Sequence, residues 1–314
     1  MSVVSPSRPG PTGVLVIDKP RGPTSHDVVA RIRRALGTRE VGHAGTLDPM
    51  ATGVLVVAVG EATKLVPWLT AHEKAYEATI ALGVETDTLD AEGRETRRVP
   101  PEAALVQALA ESRGPSVASR LRAALEAERS RTSQVPPAFS AIQKDGERAY
   151  ARARRGEAVE LEAREVRVHR LDLVACSDAP AWLTVRVEVD KGYYVRSLAR
   201  DLALDLATVG HLTSLRRTRS GCFTLDEALP LDTPDDELAA RVEHLARAAS
   251  RALPVARLSE VGSRDAHHGR PVQPADIDAP VAGPCAWLTP NGRLVAVGEV
   301  DGSGLGRVLR GFAG

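Results

Sequence analysis

Residues 42–55 read GHAGTLDPMATGVL, an imidazole, a carboxylate and three glycines set at the entrance to an unbroken apolar run. That run, Gly53 to Val59 (GVLVVAV), has no polar position, the pattern of a strand covered on both faces. Upstream, Gly13 to Asp18 (GVLVID) has the same character and stops at Lys19-Pro20. Between the two runs, Thr24-Ser25-His26-Asp27 fits a capping box, Val28, Val29, Ile32, Ala35 and Leu36 recur at helical spacing, and Gly37 closes the pattern. Strand, capped helix and second strand thus enclose a segment, 37–52, that has no periodicity and carries Gly42, Gly45 and Pro49. A connection of about 15 residues between core elements is usually functional or disordered, and this one is too particular in composition to be a linker. A carboxylate held on a strand-to-loop frame can act as nucleophile or general base once a partner sets its ionisation. Asp48 is therefore the first catalytic candidate. On composition alone a turn aspartate before proline is the alternative, and a solvent-facing loop residue is the alternative for His43.

Outward from this core, Tyr76, Ala78, Ile80 and Leu82 alternate with Glu77, Thr79 and Ala81, the period of a half-buried strand. Val185, Val187 and Val189 alternate in the same way with Arg186, Glu188 and Asp190, so 183–190 reads as a second such strand. A helix follows, with Val195, Leu198, Ala199, Leu202, Ala203 and Leu206 on its apolar face and Arg196 and Arg200 turned to a common polar side. Residues 101–130, rich in Ala, Leu, Glu and Arg, suggest one or two surface helices with a structural task. Composition shifts near 230–252, and beyond Leu253-Pro254 short Val- and Leu-rich runs separated by Gly and Pro turns fit a small β module. The expected architecture is α+β: a flexible tail over 1–12, a catalytic body with a mixed, largely antiparallel sheet flanked by helices over 13–252, and a β-rich module over 253–314.

With 314 residues the chain has room for about two domains, and its 41 basic residues balance 41 acidic ones. A zero formal charge argues against a globally cationic nucleic-acid binder, so any RNA-binding patch must be local. The longest apolar stretch, Val54 to Val59, is far short of a bilayer span. The polar, Pro- and Ser-rich N-terminus lacks the features of a signal or transit peptide. A cytoplasmic location is expected. Cys176, Cys222 and Cys285 fit neither a disulfide framework nor a zinc site.

Five segments in order, GVLVIDKPRGPTSHDVV, GHAGTLDPMATGVL, KAYEATIALGVETDTLDAEG, QVPPAFSAIQKDGERAYARARRGE and DKGYYVRSLARDL, cover most of 13–222 and resemble the successive signatures of TruB-type tRNA pseudouridine-55 synthases. One Gly-His-x-Gly is weak, whereas five ordered segments are specific. The resemblance implies an isomerase without cofactor or metal that detaches uracil from its ribose at position 55 of the tRNA T-loop and reattaches it through C5. It implies that Asp48 is the catalytic aspartate, since a carboxylate can stabilise the oxocarbenium character that builds as a glycosidic bond breaks. Attack at C1′ and removal of the C2′ proton both remain open, with the family favouring the latter. Arg196 matches the arginine that pairs with that aspartate, and a guanidinium nearby favours the charged carboxylate and can orient it through two parallel hydrogen bonds. Without the resemblance, an exposed helix arginine would be the favoured reading of Arg196. Tyr76 matches a tyrosine that stacks on the extruded base, with a core residue as its alternative. Tyr194 and Leu215 match the substrate pocket, and His43 a residue that holds the flipped nucleotide. Lys19 matches the IDKP motif, supporting the floor of the site or touching the RNA backbone, with a solvated strand-end lysine as its alternative.

Contacts to the tRNA backbone are expected from His211, Arg216, Arg217 and Arg219, and less so from Arg148 and Arg152, whose cluster Glu147 and Glu157 dilute. The partner is tRNA at its T-arm and elbow, engaged by a monomer with no obligatory protein partner and no membrane. Residues 253–314 resemble a PUA-like RNA-binding module. The run from Thr86 to Gly93 lacks the twelfth-position glutamate of a calcium loop beginning at Asp87 and reads as a family turn. The chain departs from the family pattern at Gln143, where lysine is usual and Lys144 comes one position later, and over 113–133, which is longer than the usual connection. Two other functions stay open: an RNA-guided relative sharing the Gly-His-x-Gly-Thr-Leu-Asp-Pro loop, and an RNA-binding protein that refolds tRNA with incidental modification.

Overall fold

The computed structural model describes residues 10–112, 117–140, 142–144, 147, 148, 152, 155, 157, 161–278 and 281–313. The elements used below are β1 (Gly13–Lys19), α1 (Ser25–Leu36), β2 (Val41–His43), β3 (Thr52–Val59), β4 (Lys74–Leu82), α2 (Ser119–Arg129), β5 (Val168–Asp178), β6 (Ala181–Val189), α3 (Val195–Asp205), β7 (Gly210–Ser220), β8 (Val255–Leu258), β9 (Cys285–Leu288), β10 (Leu294–Val300) and β11 (Gly306–Gly311). The chain divides into two compact units. One is formed by the chain up to Asp48, Val54–Ala71 and the chain from Gly221 onward, the other by Pro49–Gly53 and His72–Ser220.

In the first unit β1 lies next to β3, pairs in parallel with Leu229–Pro230 and pairs antiparallel with Glu243–His244. Both apolar runs are buried along almost their whole length, as a strand covered on two faces requires. Helix α1 begins as its capping box demands: Thr24 Oγ1 accepts from the Asp27 amide, and the Asp27 carboxylate accepts from the Thr24 amide at 2.8 Å. The Thr24 hydroxyl, donating to the same carboxylate at 2.7 Å, and then the Thr24 amide hold the Asp27 carboxyl below the usual range. The helix ends where Gly37 turns left-handed at φ 62. Val28, Val29 and Ile32 form its buried stripe. The segment that shows no periodicity contains β2, antiparallel to β3 with His43 opposite Val57. Three residues are too few to display an alternation, so this strand is set by its partner rather than by its own pattern. Ala246, Ala249, Ala286, Leu288 and Phe312 share one hydrophobic cluster with Val14, Val54 and Leu65. The C-terminal β8–β11, with Ile277–Asp278, form a five-stranded sheet around Trp287. Gly298 is dictated by that ring, since a Cβ there would lie 2.3 Å from it.

The second unit is a mixed sheet in the order β5, β6, β4, β7, antiparallel throughout until β7 runs parallel to Thr52 and Gly53. Its covered face carries Tyr76, Ala78, Ile80, Val185, Val187, Val189, Leu212 and Leu215. Helix α3 lays Val195, Leu198, Ala199, Leu202 and Ala203 against β4 and β7, the apolar stripe read from its spacing. Helix α2 packs on α3 and β5. Gly53, at φ 101, is the close-approach point beside β7: a Cβ there would sit 2.2 Å from the Arg217 carbonyl oxygen.

Candidate active site

The loop that ends at Asp48 is fastened from below by helix α1. Ser25, at the first turn, donates Oγ to the Leu47 carbonyl at 3.0 Å and accepts the Leu47 amide at 2.9 Å. Ser25 is buried, as are Ala44, Leu47, Met50 and Ala51, which leaves Asp48 as a half-buried polar side chain between anchored apolar neighbours. The Ala44 amide bonds the Val56 carbonyl at 2.9 Å and Arg33 donates to the Val41 carbonyl at 2.9 Å, so the arm that enters the loop is held. The His43 ring meets the edge of His26 with centroids 5.3 Å apart.

Lys19 departs from both its expected RNA contact and its solvated alternative. Its side chain is 0% exposed, and its Nζ donates to the carbonyls of Pro20 at 3.0 Å and Pro23 at 2.7 Å. Pro20 and Pro23 lack amide hydrogens but keep strong carbonyl acceptors, and the ammonium closes the turn that leads into α1. It is a buried support and has no surface to offer a phosphate.

In the second unit Arg196 is buried rather than turned to a polar side with Arg200. Its Nη1 donates to the Thr88 carbonyl at 3.0 Å, its Nη2 donates to the Phe139 carbonyl at 2.8 Å, and Asp90 Oδ2 lies 3.8 Å from Nη1. The turn over Thr86–Gly93 is therefore the seat of this guanidinium. Asp90, itself buried, shapes that turn by accepting from Thr88 Oγ1 at 2.7 Å and from the Glu92 amide at 3.0 Å. Tyr76 lies opposite Val187 and Arg217, and Leu215 lies opposite Ala78, so the strand register puts Tyr76 and Leu215 on one covered face, two positions apart. Tyr194 is half-buried just before α3.

The expected RNA-contact residues separate. Arg217 is 0% exposed, which corrects its assignment as a phosphate contact: it faces inward with Tyr76 on the sheet. Next to it in space, Lys74 is buried too, donates to the His72 carbonyl at 2.8 Å, and has its pKa pushed down to about 8 by burial, with the charges of Arg217 and Lys191 adding to the effect. Arg216 reaches Thr52 Oγ1 at 3.3 Å, and Arg219 pairs with Glu188 at 2.8 Å. The His211 ring is held by Nδ1 at 2.8 Å from the Val84 carbonyl oxygen. Arg152 is paired with Glu157 at 2.9 Å. Arg148 lies on the strand Glu147–Arg148, paired with Gln143–Lys144, and its side chain lies outside the described residues.

Sequence reasoning passed over Glu128, Arg131 and Gln134. Glu128 is fully buried, accepts from Tyr193 Oη and from Arg131 Nε, each at 2.6 Å, and burial raises its carboxyl above the usual range. The signal was present: Leu121, Ala124, Leu125 and Glu128 fall on one helical stripe, which places a carboxylate where an apolar side chain is expected.

Residues 33–195 match the family model described as TruB family pseudouridylate synthase (N terminal domain). The chain belongs to the TruB family. A tRNA pseudouridine synthase B from Thermobifida fusca (strain YX) is 47% identical over 310 residues, spanning 96% of this chain and 99% of the relative. That of Mycobacterium tuberculosis (strain CDC 1551 / Oshkosh) is 44% identical over 303 residues, spanning 95% and 94%. Among solved structures, a chain of a Cbf5-Nop10-Gar1 complex is similar to this TruB-family chain with a TM-score of 0.64 at 28% identity, covering 92% of this chain and 78% of that one. A chain of an H/ACA RNP bound to a substrate RNA containing 2′-deoxyuridine shares the fold, with a TM-score of 0.66 at 24% identity over 96% and 86%. The α+β architecture expected for the family is the one observed.

Proposed function

We propose that this chain is a stand-alone tRNA pseudouridine synthase that isomerises uridine-55 of the T-loop, with Asp48 as its catalytic residue. The observation that carries the reading is 47% identity to a tRNA pseudouridine synthase B over 96% of the chain, because it extends far beyond a single motif. In the reaction the N1–C1′ bond breaks and the C5–C1′ bond forms, C5 loses its proton and N1 gains one. Substrate and product contain the same atoms, and the conversion is redox-neutral. The Asp48 carboxylate stabilises positive charge at the ribose or takes the C2′ proton, the second being the favoured route.

Arg196 serves as the guanidinium that orients Asp48, the role that its place in the Tyr194-Val195-Arg196 motif of the family supports; its own head group is held by the Thr88 and Phe139 carbonyls beside Asp90. Tyr76 stacks on the extruded base and Leu215 walls the same apolar face, which their shared sheet face supports. Tyr194 borders the substrate, and His43 holds the flipped nucleotide in place without moving protons. Arg216, Arg219, His211, Arg148 and Arg152 supply contacts to the RNA backbone, and residues 253–314 form a PUA-like module that grips the tRNA acceptor or elbow region. The enzyme acts as a cytoplasmic monomer; among the described residues no helix is long and apolar enough to cross a membrane.

The likeness to a chain of a Cbf5-Nop10-Gar1 complex favours a second reading, an enzyme that works only with accessory proteins and a guide. Incubating the purified chain alone with an unmodified tRNA transcript, and mapping pseudouridine at single-nucleotide resolution, separates the two. Modification confined to uridine-55 supports the stand-alone enzyme, and tight binding without product favours the accessory-dependent one.

A further inference from the structure

The site residues Tyr194 and Arg196 sit at the start of α3, and the short segment from Glu128 to Phe139 grips that start at every level. Gln134, buried, brackets the Tyr194 main chain with both ends of its amide: Oε1 accepts the Tyr194 amide at 2.9 Å and Nε2 donates to the Tyr194 carbonyl at 3.2 Å. One residue earlier, the Tyr193 hydroxyl is bound by the buried Glu128 carboxylate at 2.6 Å. The Val135 carbonyl accepts from Ser197 Oγ and from Arg200 Nη2, each at 2.9 Å, and the Phe139 carbonyl accepts from Arg196 Nη2 at 2.8 Å. Arg131, bound to Glu128, also lies 3.9 Å from Asp201 and 3.6 Å from Asp205 on α3.

A fully buried carboxylate is an expensive way to join α2 to the chain that leads into α3, because apolar side chains of similar volume would hold them at no desolvation cost. What an apolar contact lacks is direction. The Gln134 amide and the Glu128 carboxylate fix two successive residues by their hydrogen-bonding groups, one through main chain and one through a side-chain hydroxyl, and so set the rotation of the chain as it enters Tyr194-Val195-Arg196.

We propose that Glu128, acting through Tyr193, and Gln134, acting on the Tyr194 main chain, are positioning residues that set Tyr194 and Arg196 in their working geometry. The inference rests on the reading of this chain as a uridine-55 synthase. It gives helix α2, within the stretch over 113–133 that the sequence marks as a departure from the family pattern, a part in positioning the site.

The test is single-turnover conversion of uridine-55 with enzyme in excess over tRNA, together with tRNA affinity and the thermal midpoint, for wild type, Gln134→Ala and Tyr193→Phe. Misplacement of reacting groups by about 1 Å lowers rates up to about 100-fold. Both variants are expected to lose about 10- to 100-fold in the single-turnover rate while tRNA affinity stays within about threefold, less than a single phosphate or stacking contact contributes. Tyr193→Phe keeps the ring and its packing, so it decides the matter if Gln134→Ala does not fold. Wild-type rates in the folded variants, or a loss carried entirely by affinity, overturn the positioning roles while leaving the function intact. A wild-type protein that makes no pseudouridine overturns the function and, with it, the premise of the inference.

Discussion

Replacing Ser25 by alanine tests how the Asp48 loop is held. The hydroxyl is buried and makes two hydrogen bonds to Leu47, donating at 3.0 Å and accepting at 2.9 Å. Its removal strands a buried amide and a buried carbonyl, each worth roughly 1–3 kcal/mol when left unsatisfied. With partial relaxation the sum is about 2–4 kcal/mol, and a unit of this size loses about 2–4 °C of thermal midpoint per kcal/mol. The expected shift is therefore about 5–15 °C. Because Leu47 directly precedes Asp48, the single-turnover rate should fall about tenfold or more, as loss of orientation does. Denaturant unfolding and single-turnover conversion measure the two effects on the same protein. Stability within about 0.5 kcal/mol of wild type, the range of an ordinary surface substitution, together with full turnover, would show that the loop does not depend on this anchor.

Arg196→Lys should lose most turnover in a folded protein, since a lysine ammonium cannot reproduce the fork that spans the Thr88 and Phe139 carbonyls; near-normal turnover counts against the assigned role. Gly53→Ala should be severely destabilised or fail to fold, because φ is 101 and the added methyl meets the Arg217 carbonyl oxygen; circular dichroism and thermal melting would show it. Lys74 has a folded-state pKa lowered to about 8 from 10.5 by burial, so the unfolded chain binds more protons between these values. Stability should accordingly gain a contribution as pH rises from about 8 to 10.5. The difference between wild-type and Lys74→Met unfolding curves over that interval isolates it, and a pH-independent difference would refute it.

Where a residue's role is set by local periodicity, the sequence made it legible. The buried runs of β1 and β3, the box that starts α1, the alternation of β4 and β6 and the apolar stripe of α3 all follow from spacing. Asp48 could be singled out as a carboxylate in a glycine-rich loop before a buried strand, but a turn aspartate before Pro49 fits that pattern as well, and only the five ordered segments that resemble the family turned the reading toward catalysis. Spacing could not show which side chains turn inward where the pattern allows either side. Arg217 falls in phase with Leu215 on β7 and is buried with it, although its charge and its basic neighbours read as a surface patch. Lys19 is buried for a related reason: two prolyl carbonyls close by in sequence accept its ammonium, and such acceptors leave no mark on a hydropathy pattern. The place of Glu128 on the stripe of Leu121, Ala124 and Leu125 could be read from spacing, but its partner Tyr193 could not, because it lies 65 residues away in the chain. Only the fold brings the two together.

The account stands most directly on Asp48, and the decisive measurement is release of the C5 hydrogen from tRNA labelled with tritium at C5 of uridine-55, for wild type and Asp48→Asn, with tRNA affinity determined in parallel. The wild-type protein alone should release the label and yield pseudouridine only at that position, while Asp48→Asn binds tRNA as tightly and releases none. Release by Asp48→Asn at the wild-type rate would contradict the account, because the carboxylate could then carry no step of the isomerisation.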